Sequence, residues 1–340
     1  VARIESGSVE TPPDPSVRPH WQVHFAVADV EPCARAAEKH GGSVPDTPAA
    51  AGTLAQARAA LADIGDLPEQ LDTAAALAST TNAQLALLIS GVANARALLH
   101  DYGLQADTVA GHSIGAFSAA VIAGVLSLPE AIRLVHIRGV HMEAACAGGR
   151  WSMAALRGLG QSAAQTLLDR LATDTDPLWI ANINAPDQLV ISGTTTALAT
   201  LCAHAPDAGA TDLVDLNVTV ASHCPLQRTT TEAVAAAVTW TQLGEQSRAY
   251  LANTSGRRIL RDPSKVVQDL AAAVSAPVRW LDAMRLLPEL GVTVTVETPP
   301  GHVLTRLATQ ADGNTTALHL ATADLGLEST TLRARRAQAR

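Results

Sequence analysis

At 340 residues, with 47% hydrophobic and 16% charged side chains, the chain can bury a large core and is too apolar to be disordered throughout. A formal charge of −8, with no long basic run, argues against a nucleic-acid surface. Aromatics are only 3%, so the core must be packed from Ala, Val, Leu and Ile, and the four cysteines (Cys33, Cys146, Cys202, Cys224) form no C-x-x-C pair, which points away from disulfides or a zinc site and toward a reducing cytoplasm.

Residues 1–17 are polar and proline-rich, with no apolar h-region of a signal peptide, and no run anywhere has the length of a membrane span. Trp21-Gln-Val-His-Phe-Ala-Val27 alternates like a strand, and Glu31 to His40 reads as a short helix ending at Gly41-Gly42. This βα piece weakly resembles part of a vicinal-oxygen-chelate (glyoxalase-like) domain; His24 reads as an alternating-strand histidine in preference to a metal ligand. Ser43 to Gly52 has the composition of a linker. Helices are then predicted over Leu54–Ile64, Thr73–Ser79 and Asn82–Tyr102. The last is apolar on most faces (Leu85, Leu87, Leu88, Ile89, Val92, Leu98), which predicts burial.

Next comes the most informative stretch. Val109 and Ala110 read as the end of a buried strand, Gly111-His-Ser-Ile-Gly115 is a G-x-S-x-G turn, and an Ala/Val/Ile-rich helix follows at once. A strand reversing sharply into a helix leaves no room for Cβ atoms beside the central serine, hence the glycines. Such an elbow lifts the Ser113 hydroxyl to a helix N-terminus, where unpaired N–H groups and the helix dipole favour a developing oxyanion. An ordinary turn is the competing explanation; the strand before and helix after favour the nucleophile.

Ser127-Leu-Pro-Glu130 is a capping box opening a helix to about Ala145. Arg138 lies on its apolar stripe with Ala131, Leu134, Val135 and Met142, while Arg133, His136 and Glu143 make a wet face. A guanidinium held there must reach the rim, pair with a buried acid, or clamp a substrate carboxylate, and the spacing does not choose among these. Residues 148–219 alternate as strand (Trp151–Leu156), helix (Gln161–Leu171), strands (Trp179–Ile183, Gln188–Ser192), helix (Thr195–Ala205) and an extended piece (Thr211–Val220): a small α+β insert with Asn184 to Asp187 as a turn. His223, in Ser222-His-Cys-Pro225, is placed where a strand yields to a helix running from Gln227 to about Leu243. A lone histidine there is commonly structural, but an upstream elbow serine makes a Ser–His pair the better reading. The remainder gives a strand and turn at Tyr250–Ser255, helices over Asp262–Val274 and from Ala276–Trp280, a strand at Val292–Val296 and a final helix after Pro299-Pro-Gly-His302. An Arg-rich tail follows Leu325.

Taken together, Gly111-His-Ser-Ile-Gly-Ala-Phe117, Ile137-Arg-Gly139, Ala181-Asn-Ile-Asn-Ala-Pro-Asp-Gln188 with Ile191-Ser-Gly193, Ser222-His-Cys-Pro225, Pro277-Val-Arg-Trp280 and Glu297-Thr-Pro-Pro-Gly-His-Val-Leu-Thr305 resemble the malonyl-CoA:acyl-carrier-protein transacylase family. Gly-Ala-Phe after the elbow, Pro-Pro-Gly near the end, and Leu71 to Thr80 with Gln84 lean toward its malonate decarboxylase epsilon-subunit branch. The resemblance implies an α/β-hydrolase-like large subdomain (51–147 and 220–325) with an inserted ferredoxin-like small subdomain (148–219), an atypical N-terminal segment (1–50) and a tail (326–340).

It also implies roles. Ser113 is the nucleophile, His223 the general base oriented by a backbone carbonyl near Ala273, and Arg138 the partner of a malonyl carboxylate. Gln84, His112, Ile114 and Asn182 are expected on the substrate side. No metal or bound cofactor is expected; malonyl-CoA is the substrate, and the partners are an acyl carrier protein with a phosphopantetheine-type arm and possible further malonate decarboxylase subunits, in the cytoplasm. The basic Arg257–Lys265 stretch is a candidate dock for an acidic carrier. One departure stands out: the family's Phe-Pro-Gly-Gln-Gly-x-Gln loop, whose backbone completes the oxyanion hole, is absent from the sequence, and losing one such donor costs on the order of 100- to 1000-fold in turnover. The rival functions are a serine hydrolase using Asp212 or Asp215, and an inactive acyl-binding subunit.

Overall fold

The computed structural model describes residues 20–25, 47–65, 71, 73–311 and 315–319. Its main sheet has the order β10-β9-β1-β2-β7-β8, formed by β1 (His20–Phe25), β2 (Thr108–Gly111), β7 (Ala249–Leu251), β8 (Arg258–Ile259), β9 (Val292–Thr298) and β10 (Thr316–His319). All neighbours are parallel except β7 and β8. The predicted N-terminal strand therefore sits at the centre of this sheet, between β2 and β9; the helix predicted over Glu31–His40 lies outside the described residues, as does the Arg-rich tail. β10 was not foreseen.

Helices pack around that sheet through their apolar faces. α1 (Pro48–Ile64) begins inside the stretch expected as a linker, since Pro48 stands at the first helical position, where its missing N–H costs nothing. α2 (Ala74–Leu77) is one turn capped by Thr73. In α3 (Thr80–Arg96), Leu85, Leu88, Val92, Ala93 and Ala95 are all wholly buried, as its all-round apolar pattern predicts. α4 (Gly115–Ile122) is the buried helix after the elbow. α5 (Leu128–Ala145) starts with the capping box read from the sequence, both of its reciprocal bonds being present. Phe117 and Tyr250 are the aromatics of the main core cluster, otherwise built from Ala, Val, Leu and Ile.

The second sheet is antiparallel, ordered β4-β5-β3-β6, from β3 (Trp151–Arg157), β4 (Leu178–Ala185), β5 (Gln188–Thr194) and β6 (Asp212–Asp215). With α6 (Gln161–Leu171) after β3 and α7 (Thr195–His204) after β5, this is a βαββαβ ferredoxin-like unit with its own apolar cluster. The expected extension to Val220 stops at Asp215. Asn217 takes a left-handed conformation (φ 52°), and Leu216 to Ser222 run on as irregular chain to His223. α8 (Arg228–Val238) ends five residues earlier than expected; α9 (Pro263–Ala272), α10 (Trp280–Glu289) and α11 (Val303–Ala311) complete the fold. The Glu297–Thr305 motif has a structural explanation: buried Glu297 on β9 accepts from Leu304 N at 3.1 Å and from Thr305 N and Oγ1 at 2.6 Å each, capping α11. Among the described residues no helix is long and apolar enough to cross a membrane, and no cluster of three or more His, Cys, Asp or Glu could hold a metal.

Candidate active site

The elbow geometry follows from its glycines. A Cβ on Gly111 would lie 2.0 Å from the Gly115 carbonyl carbon, so only glycine lets the strand and helix cross this closely. Ser113 itself is left-handed (φ 53°), the strain typical of a residue presented at a sharp strand-to-helix turn. Its N–H is taken by Asn253 Oδ1 at 2.9 Å; the next N–H, of Ile114, has no hydrogen-bond partner among the described residues and stands at the start of α4.

Two side chains from distant parts of the chain meet at the Ser113 hydroxyl. His223 Nε2 lies 2.7 Å from Ser113 Oγ, and Arg138 Nη2 donates to the same oxygen at 3.2 Å. On its other side the imidazole contacts the Ala273 carbonyl, 2.6 Å from Nδ1. A carbonyl can only accept, so Nδ1 carries the hydrogen and Nε2 is left as the acceptor facing the serine. Asp212 and Asp215 do not serve this histidine. Both are exposed on β6, the first paired with Arg157 at 3.7 Å, the second accepting from Ser152 Oγ and Asn217 N.

Arg138 is buried on α5 and donates to Gln84 Oε1 on α3. Gly139 makes that reach possible: a Cβ there would lie 2.6 Å from Thr81 Cα, so the two helices touch at this point. No carboxylate pairs with the guanidinium among the described residues, and burial alone lowers its pKa to about 10. Glu143, expected on the wet face, is half-buried and accepts from Ser79 Oγ and Thr81 N instead.

The remaining candidates form a second group beside the first. His112 is fully buried, with Nε2 2.9 Å from Asn184 Oδ1 and 3.1 Å from Asn182 Nδ2, and its ring meets Trp280 edge-on at 5.4 Å. Both asparagines belong to β4, so this contact ties the elbow to the ferredoxin-like sheet. Gln84, Ser113, Arg138 and His223 thus converge, whereas His112 and Asn182 face one another behind the elbow. Sequence reading missed Asn253, whose side chain also donates to Gly111 O at 2.6 Å and so bridges the turn on both sides of His112. Its only sequence trace was its place in the turn after β7.

Burial first, then the Arg138 charge, lower the His223 pKa from 6.5 to about 3, against the raising effect of the Ala273 carbonyl. The neutral ring therefore persists as pH falls. For a base of ordinary pKa, kcat/KM halves near pH 6.5; here it is expected to stay level to about pH 5, as an acyl-donor titration of kcat/KM checks. Stability carries the opposite cost: below about pH 6.5 the unfolded chain binds a proton that the buried ring refuses, so this contribution is lost as pH falls toward 3.

Comparison with known proteins agrees with this arrangement. The "acyl transferase domain" family model matches residues 26–323. The malonyl CoA-acyl carrier protein transacylase of Haemophilus influenzae is 32% identical over 243 residues, 71% of this chain and 77% of that one. The solved structure of the transacylase of that name from Coxiella burnetii superposes with a TM-score of 0.81 at 26% identity, covering 95% of this chain and 99% of its own. A complex of a type II polyketide-synthase acyl carrier protein with its malonyl-transacylase gives a TM-score of 0.78 at 27% identity, covering 89% and 96%. An elbow serine, a carbonyl-oriented histidine and a buried arginine on this scaffold, together with matches of that extent, place the chain in the acyl transferase family, among the malonyl-CoA:acyl-carrier-protein transacylases.

Proposed function

We propose that the protein moves a malonyl group from malonyl-CoA to the phosphopantetheine thiol of an acyl carrier protein by way of a malonyl ester on Ser113. The observation that carries this reading is the buried guanidinium of Arg138, with no carboxylate against it among the described residues, standing 3.2 Å from the same hydroxyl that His223 approaches at 2.7 Å. His223 Nε2 takes the Ser113 proton as Oγ attacks the thioester carbonyl, and the Ile114 N–H supports the oxyanion. The thiolate of CoA leaves with the proton from His223. Arg138 pairs with the distal carboxylate, which an acetyl group lacks. In the second half, the carrier thiol gives its proton to His223 and attacks the serine ester.

The named relatives support a transacylase of fatty-acid or polyketide assembly over the malonate decarboxylase subunit that Gly-Ala-Phe117 and Pro-Pro-Gly301 favour. For the carrier's dock the reading keeps Arg257, Arg258, Arg261 and Lys265, all exposed, with Lys265 already paired to Asp262 at 2.9 Å. The missing glutamine loop is expected to lower turnover and leave the acylated residue unchanged.

Incubation with malonyl-CoA followed by intact-mass and peptide mapping tests the proposal. The expected result is one malonyl increment on Ser113 that persists in water and is discharged by a carrier bearing its pantetheine arm. Discharge equally fast without carrier would make the protein a hydrolase. Binding of malonyl-CoA with no increment would make it an acyl-binding subunit.

A further inference from the structure

The serine and the histidine are 110 residues apart, yet the same helix holds both. On the histidine side, the C-terminal end of α9 offers the Ala273 carbonyl to Nδ1 at 2.6 Å and the Val274 carbonyl to the His223 backbone N–H at 3.0 Å. One turn earlier on α9 lies Asp269, only 5% exposed. Its carboxylate accepts the Asn253 N–H (2.8 Å) and the Tyr250 hydroxyl (2.9 Å) on Oδ2, and the Thr254 N–H (2.9 Å) and hydroxyl (2.6 Å) on Oδ1. Asn253, fixed in this way, spends its side chain on the elbow: Oδ1 accepts from Ser113 N and Nδ2 donates to Gly111 O.

We infer that Asp269 is a positioning residue for the Ser113–His223 pair, acting through Asn253, so that α9 gauges the distance between nucleophile and base. Three facts favour this over a purely structural anchor. A buried carboxylate is costly unless its acceptor sites are filled, and here donors from Asn253 and Thr254 of the turn and from Tyr250 on the preceding strand fill them. The bonded chain ends on the backbone of the nucleophile itself, in a left-handed conformation that needs outside support. And the same helix end, tied to Asp269 by the Ala273 N–H to Asp269 O bond of 2.8 Å, supplies the carbonyl that sets the histidine tautomer. Displacing a reacting group by about 1 Å costs on the order of 100-fold in rate, whereas substrate binding at Arg138 does not depend on this chain of contacts.

The inference rests on the acyl-serine reading for its meaning, but it can be tested without malonyl-CoA. A fluorophosphonate ester reports Ser113 reactivity: the O–P bond forms as P–F breaks, His223 receives the serine proton, and fluoride leaves. The rate of phosphonylation is followed by intact mass, normalised to folded protein. Asp269→Asn, which replaces an acceptor oxygen by a donor, is expected to slow the reaction about 10- to 100-fold, and Asn253→Ala by a similar factor. The double variant is expected to be no more than about twofold slower than Asn253→Ala alone, because both changes break one linkage. Tyr250→Phe removes another bond to the same carboxylate without touching Asn253; it is expected to lower Tm and keep the rate within about twofold of the parent. A parent-like rate for Asp269→Asn, losses that multiply in the double variant, or a Tyr250→Phe rate as slow as Asp269→Asn would each overturn the inference. Should Asp269→Asn not fold, Asn253→Ala decides: a parent-like rate overturns it. If the parent is phosphonylated at Ser113 yet takes no malonyl group, the acyl-transfer reading fails while the positioning result stands.

Discussion

Ser113→Ala is expected to remove the covalent malonyl increment entirely and to lower transfer by about 10⁴- to 10⁶-fold, the range seen when the nucleophile of a serine–histidine pair is deleted. The argument is geometric. Only the Ser113 hydroxyl lies within hydrogen-bond range of both His223 and Arg138, and no other hydroxyl among the described residues shares these partners. Alanine has the same backbone options as serine, so the elbow, clamped by Asn253 at Gly111 and at the residue-113 N–H, should keep its shape. Malonyl-CoA binding through Arg138 should survive. The informative pair of measurements is therefore mass labelling and equilibrium binding on one preparation. Loss of label with binding retained locates the defect in chemistry. A label that persists on the alanine variant would remove the serine from the mechanism.

The elbow was legible because sterics confine it: two glycines, a strand before and a helix after can hardly be arranged otherwise. Arg138 was legible as a problem, a guanidinium on an apolar stripe, and the structure places it buried against Gln84 and Ser113. The carbonyl near Ala273 was located through the resemblance, and the structure puts it at the expected place. What stayed hidden works through backbone atoms. Asn253 acts on the N–H of Ser113 across 140 residues, and Asp269 acts on Asn253, so neither shows a periodicity or motif in its own neighbourhood. The end of β6 was misjudged for a similar reason. Val218 and Val220 have strand-like side chains, yet the left-handed Asn217 turns the chain out of the ladder, and Ser192 Oγ bonds Ser222 O at 2.7 Å instead. Branch assignment was the weakest inference, since Gly-Ala-Phe and Pro-Pro-Gly say how the chain packs near the site and nothing about which carrier it meets.

Arg138→Ala is expected to lower kcat/KM for malonyl-CoA by about 10²- to 10³-fold, within the about 2–5 kcal/mol measured when one member of a buried, hydrogen-bonded charge pair is truncated. Acetyl-CoA, with no carboxylate to pair, should change little, so the preference between the two donors collapses. Arg138→Lys keeps the charge and loses the planar fork, and should fall between. Stability separates this reading from a structural one. A guanidinium buried beside Gln84 and Ser113, with no acid against it among the described residues, is held in the free protein at a desolvation cost, as its lowered pKa reflects. Arg138→Met, which fills the same space without the charge, is therefore expected to leave Tm unchanged or raise it while abolishing the malonyl preference. An arginine kept for the fold predicts the reverse: a lower Tm and an unaltered ratio of malonyl to acetyl transfer. Thermal melts and the two donor titrations on Arg138→Met distinguish these outcomes, because function and stability then move in opposite directions.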